Sequence, residues 1–165
     1  MEAVYIWLER TAFSIWLRES PSLFAFPAIL ILHTVGMAFL VGASGAISLC
    51  ILGFAPQLSL SSLKKIFPIL WVAFAINFLS GVGLLMAFPA KALTNLMFYA
   101  KLVFIALALL NYWALKKQLF GNPLLDKTPV STNNKILAIT SLFFWIGATT
   151  SGRLLAYTCS RVFAQ

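Results

Sequence analysis

Four long apolar stretches, separated by short clusters of charged and turn-forming residues, make up most of this chain, and a shorter segment of different character precedes them. Over residues 2–19, Val4, Trp7, Leu8, Ala12, Ile15 and Trp16 share one side of a helical projection, while the charges lie mostly on the other. This pattern predicts an amphipathic helix, and its two tryptophans suit the plane of a membrane interface. The same pattern also fits a helix packed on a partner protein.

The uncharged run from Pro21 to Ser62 is too long for one crossing, because about 20 residues span the hydrocarbon core. A first span is predicted over residues 23–52, long and tilted, with Pro27 in its first turn and Gly53 and Pro56 beyond its end. Residues 57–65 then form a loop ending in Lys64–Lys65. A second span over 66–88 has Pro68 in its first turn and Pro89 as its stop, and Lys91 lies in the short connection that follows. A third covers 95–115 and stops at Lys116–Lys117. The next loop carries Gly121, Asn122, Pro123, Asp126, Pro129 and Asn133–Asn134 as breakers, and a fourth span runs over 136–158. The expectation is one all-α domain over 1–165, an integral membrane four-helix bundle with an N-terminal interfacial amphipathic helix.

Composition agrees with this pattern. Of 165 residues, 61% are hydrophobic and 10% charged, against about a quarter charged in a soluble domain, and the mean hydropathy is +0.94. The net charge of +8 sits in clusters between apolar runs, with no basic stripe interleaved with aromatics, so it reads as membrane topology and excludes nucleic acid as the partner. Lys64, Lys65, Lys116, Lys117, Lys127 and Lys135 fall on one face, and Arg10, Arg18, Lys91 and Arg161 on the face holding both termini. Six against four puts the termini outside the cytoplasm; adding Lys101 and Arg153 to the second group makes the faces equal. Cys50 and Cys159 fall near opposite faces, beyond disulfide reach. The first twenty residues carry five charges where a signal peptide would have an apolar core.

Polar side chains within spans are costly unless paired or turned inward, which makes them informative. His33 is about ten residues into the first span, ~15 Å deep, Lys101 roughly 9 Å and Arg153 roughly 7 Å from the same face, and Asn77 is mid-span. His33 shares a side with Gly36, Met37, Leu40 and Ser44; Asn77 with Ala73, Ser80 and Gly81; Lys101 with Phe104, Ala108 and Tyr112; Arg153 with Thr149, Ala156 and Tyr157. Small or hydroxyl-bearing neighbours on most of these strips favour an inward orientation. No Asp or Glu lies in any span, and Glu19, at the mouth of the first, is the one intrachain partner in reach. Three basic groups with at most one acid leave room for an anionic ligand.

Haem b fits this pattern: His33 as the iron ligand, Gly36 to admit the porphyrin, Lys101 and Arg153 for the propionates. With one histidine in the chain, a two-histidine site would form only across a homodimer or with another subunit. A quinone head group bonded by His33 and Tyr157 is the other option. Plainer readings stand beside these. Lys101 and Arg153 are long enough to snorkel to the interface, His33 suits a cross-helix hydrogen bond, for instance to Asn77, and Asn111 suits helix–helix contact. No P-loop, zinc-site spacing, nucleophile–histidine–acid set or carboxylate pair is present, so no catalytic residue is assigned.

Arg18-Glu19-Ser20, Phe26-Pro27, His33-Thr34-Val35-Gly36, Lys101-Leu102 and Gly152-Arg153-Leu154-Leu155-Ala156-Tyr157, in this order and spacing, resemble a family of small bacterial four-span integral membrane proteins known as a domain of unknown function. The likeness covers nearly the whole chain. It implies a multi-pass protein of the bacterial cytoplasmic (inner) membrane and supplies no activity. The family's pattern often has Asp-Leu-Arg near the end of the first span, where this chain has Ser48-Leu49-Cys50. The function expected is a cofactor-binding membrane protein, with haem b or quinone serving electron transfer. The competing classes are a non-catalytic subunit or assembly factor of a larger membrane complex, and a carrier of a small anion, against which the lack of a broken mid-span helix pair counts.

Overall fold

The computed structural model describes residues 2–54, 65–120 and 130–158, all helix, turn or irregular, with no strand among them. The helices are α1 (Glu2–Glu9), α2 (Ala12–Glu19), α3 (Phe26–Leu52), α4 (Ile66–Ala87), α5 (Pro89–Leu93), α6 (Leu96–Phe120) and α7 (Thr132–Thr158). The loops expected at 57–65 and 121–134 fall largely outside the described residues, as do Cys159 and Arg161.

The segment expected as one helix over 2–19 is two. Thr11 has extended backbone (φ −66°, ψ 141°) and caps α2, its Oγ1 accepting from the Ser14 N–H at 3.3 Å, a stronger preference for a threonine than a place inside a helix. Across the break, the Arg18 guanidinium donates to the Glu9 carbonyl at 2.8 Å, which satisfies an oxygen left over at the end of α1. The Ser14 hydroxyl, fully buried, donates to the Met86 carbonyl at 2.8 Å and ties α2 to the last turn of α4. Ser14→Ala is expected to cost about 1 kcal/mol, felt locally as faster amide exchange in α2 with α3–α7 unchanged.

Span ends shift from expectation for physical reasons. The first long helix begins at Phe26, with Pro27 in its opening turn, where a missing N–H costs nothing. It ends on Gly53, whose φ of +92° only glycine adopts freely, and the Phe54 N–H closes onto Leu49 O at 3.0 Å. The expected stop at Lys116–Lys117 is absent: α6 continues to Phe120, because lysine favours helix, and Lys117 sits 5.9 Å above the Trp113 ring one turn back. Asn133–Asn134, expected as breakers, lie in the first turn of α7, and the Asn134 and Lys135 N–H groups bond Ser131 O.

The four long helices pack as two pairs, α3 on α4 and α6 on α7, joined through α3 on α7. Their distribution of polarity inverts that of a water-soluble bundle. Ser44, Ser48, Ser80, Asn111, Asn134, Ser141 and Ser151 are buried, while Ile31, Phe39, Val72, Leu79, Val103, Leu110, Phe143 and Ile146 are exposed. Three interior hydroxyls donate within their own helices: Ser48 Oγ to Ser44 O, Ser80 Oγ to Ile76 O and Ser151 Oγ to Gly147 O. An outer surface this apolar suits lipid. Three helices, α3, α4 and α6, are long and apolar enough to cross a membrane; α7 matches α3 in length and is the least apolar of the four.

Candidate functional site

All four long helices contribute to one polar cluster near the end of the bundle where α1 and α2 pack. His33 lies seven residues into α3, Lys101 five into α6, Ser80 seven from the end of α4, and Gly152 six from the end of α7, so all are ~8–10 Å from the same end. His33 is buried, 8% exposed. Its Nδ1 is 3.1 Å from the Asn77 carbonyl and 3.1 Å from Ser80 Oγ. Its Nε2 is 3.2 Å from the Lys101 ammonium. The Lys101 stem runs past Gly152, where a Cβ would stand 3.6–3.7 Å from its last three atoms.

These contacts fix proton positions. A carbonyl only accepts, so the proton facing Asn77 O belongs to His33 Nδ1. The Ser80 hydroxyl sends its own hydrogen to Ile76 O at 2.6 Å and offers Nδ1–H a second acceptor. Nε2 is then the bare nitrogen, and Lys101 donates to it. The same backbone-pinned tautomer is how ligating or catalytic imidazoles are oriented.

Of the expected three-way convergence, the structure brings together two members. His33 and Lys101 meet, and Lys101 turns to the interior in place of snorkelling outward. Arg153 is exposed, because Gly152 takes the inward position and its neighbour points about 100° away round the helix. Tyr157, one turn further on that outward side, is 69% exposed. Gly36 sits on the inner face, but α4 fills the space over it: a Cβ there would stand 3.2 Å from the Asn77 backbone nitrogen. The residues assigned to haem b from the sequence therefore do not fit it in this arrangement. The porphyrin's place at Gly36 is held by backbone, and the iron's place on Nε2 by Lys101. Among the described residues no group of three or more His, Cys, Asp or Glu side chains gathers as a metal site.

Asn111 makes the helix–helix contact its residue type suggested, holding α6 to α7 by donating to Leu137 O at 3.0 Å and Thr140 Oγ1 at 2.8 Å. One feature went unread in the sequence: deeper in the bundle is a small cavity of about 20 Å³ lined by Leu40, Ser44, Leu70, Trp71, Tyr112 and Trp145 among others. Trp145 is 5% exposed, and its Nε1–H has no hydrogen-bond partner among the described residues. The sequence does carry a signal for this level: His33 and Ser44 on α3, and Lys101 and Tyr112 on α6, are each eleven residues apart, close to three full turns and so on one face.

No family model, no curated protein and no solved structure matches the chain.

Proposed function

We propose that this chain is a small multi-pass membrane protein that binds a quinone-type head group at the His33–Lys101 pair, serving electron transfer in a bacterial inner membrane. In this reading α7 is a fourth span, supported by its exposed Ile136, Ile139, Phe143 and Ile146 set against buried Asn134, Ser141 and Ser151. The exposed Trp7, Phe13 and Trp16 of α1 and α2 then lie at the membrane interface, with both termini outside the cytoplasm. The resemblance to the small four-span family belongs to the same proposal.

The observation that carries it is the Lys101 ammonium, held 3.2 Å from a bare imidazole nitrogen with no acid in any span to neutralise it. His33 is the partner Lys101 has among the described residues, which leaves two N–H donors for an oxygen-bearing ligand. Lys101 is half-buried, which leaves part of its side chain accessible. A charge-assisted hydrogen bond in low dielectric is strong enough to hold such a group.

The test is purification in mild detergent from quinone-replete membranes, followed by solvent extraction and a visible spectrum with and without dithionite. Close to one extracted quinone per chain, lost in Lys101→Met, supports the proposal. A Soret band that disappears in His33→Ala would put haem b there instead.

One observation favours the competing subunit or assembly-factor reading: both His33 nitrogens are already bonded, so the cluster can serve as a cross-link between helices. That reading requires extraction to yield no quinone and a stoichiometric protein partner to co-purify, lost when residues 2–19 are deleted.

A further inference from the structure

The outer side of α7 changes character along its length. Phe143, Ile146, Thr150, Arg153 and Tyr157 follow one another at steps of three and four, so they form one stripe. All five are exposed. Phe143 stands near the middle of this 27-residue helix, and Arg153 is five residues from its end at Thr158. From Phe143 to Arg153 the helix rises ~15 Å, which is one leaflet of a hydrocarbon core about 30 Å thick. The stripe therefore runs from apolar side chains at mid-bilayer to a guanidinium and a phenol where lipid head groups begin.

Arg153 has no counter-charge there. Among the described residues no hydrogen bond or ion pair reaches it. The described acids, Glu2, Glu9 and Glu19, belong to α1 and α2, which pack on α4 and α5, whereas α7 packs on α6 and α3. Lys101 passes on the inner side, against Gly152, and is bonded to His33. An unpaired guanidinium is costly within the hydrocarbon, and its stem is long enough to carry it to the level of the phosphates. A phosphodiester offers two oxygens that match the planar fork. A zwitterionic head group adds a cation beside Arg153, with no described carboxylate on that side to receive it. A head group of net negative charge brings the phosphate without that cation.

We infer that the outer stripe of α7 is a binding surface for one anionic phospholipid, its phosphate on Arg153 and an acyl chain along Ile146 and Phe143. The inference rests on α7 being a fourth span and is independent of the quinone reading. One basic residue acting on an anionic lipid gives a preference of roughly fivefold.

The experiment is photolabelling of the full chain in mild detergent with a phosphatidylglycerol analogue that carries a diazirine on one acyl chain, the labelled residues being located by peptide mass spectrometry. The readout is labelling within residues 143–157, with unlabelled phosphatidylglycerol, phosphatidylcholine or inorganic phosphate as competitors. Phosphatidylglycerol is expected to displace the label at roughly one fifth the concentration of phosphatidylcholine, and inorganic phosphate not at all. Arg153→Gln should bring the two lipids to parity, while Arg153→Lys, which keeps the charge, should hold most of the preference. Parity in the parent chain, or a preference unchanged in Arg153→Gln, overturns the anionic-lipid site and leaves α7 a span. Displacement by inorganic phosphate overturns it in favour of a soluble anion. No labelling of α7 at all removes the fourth span and the site with it. The lipid comparison in the parent chain needs no variant, so a misfolded variant does not weaken the test.

Discussion

Lys101→Met is expected to weaken binding of a decyl-benzoquinone by about ten- to a hundredfold and to leave the fold in place. The magnitude follows from hydrogen bonds made by a charged donor, about 1.5–3 kcal/mol, where about 1.4 kcal/mol is a factor of ten. The fold survives because two effects oppose each other. Removing the ammonium leaves His33 Nε2 without its donor, a cost of about 1–3 kcal/mol for a buried acceptor. It also relieves the bundle of a cation with no acid in any span, and burying such a charge carries a penalty of similar size or larger. Methionine keeps most of the length of the stem that packs on Gly152. Thermal unfolding in detergent, read beside the titration, separates lost binding from lost structure. A Lys101→Met protein that binds the quinone as tightly as the parent would remove Lys101 from the site.

Gly147→Ala is expected to have the largest effect on stability. A Cβ at Gly147 would stand 2.7–2.8 Å from three ring atoms of Phe104. The Phe104 ring cannot easily retreat, since Phe143 lies edge-on to it at 6.2 Å between centroids. Overpacking of this kind costs about 1–3 kcal/mol. The strain falls on the α6–α7 pairing, and Lys101 lies one turn from Phe104 on the same helix, so ligand binding should weaken together with stability. Phe104→Leu, made in the same chain, should return part of the loss by freeing space. Equal stability of Gly147→Ala and the parent in denaturant titration would show that the α6–α7 contact is looser than described.

Much of this was legible in the sequence because lipid simplifies the rules. A helix must satisfy its own backbone, so long apolar runs bounded by Pro27, Gly53 and Pro89 could mean little else. The meeting of His33 with Lys101 followed from counting rise per residue along two helices that start from the same face. What depth could not supply was azimuth. Gly152 and Arg153 are neighbours, and one residue is about 100° of rotation, enough to exchange a charge inside the bundle for one outside it. Tyr157, four residues on, followed Arg153 outward for the same reason. The break at Thr11 was missed because the apolar period continues through it, while a side-chain cap decides where the helix restarts. Trp145 was not singled out in the sequence, and it sits in the interior beside the cavity. Nothing in its local pattern separates an interior tryptophan from an interfacial one.

The proposed function depends on an imidazole of α3 that is pinned by the backbone of α4 and bonded on its far side by the lysine of α6. The chain has a single histidine, so its ring nitrogens give an unambiguous ¹⁵N spectrum in a labelled, lipid-reconstituted sample. The expected spectrum shows the proton on Nδ1 and a hydrogen-bonded, unprotonated Nε2 whose resonance moves in Lys101→Met while Nδ1 stays. A proton on Nε2, or an Nε2 resonance indifferent to Lys101, would contradict the arrangement from which the function is drawn.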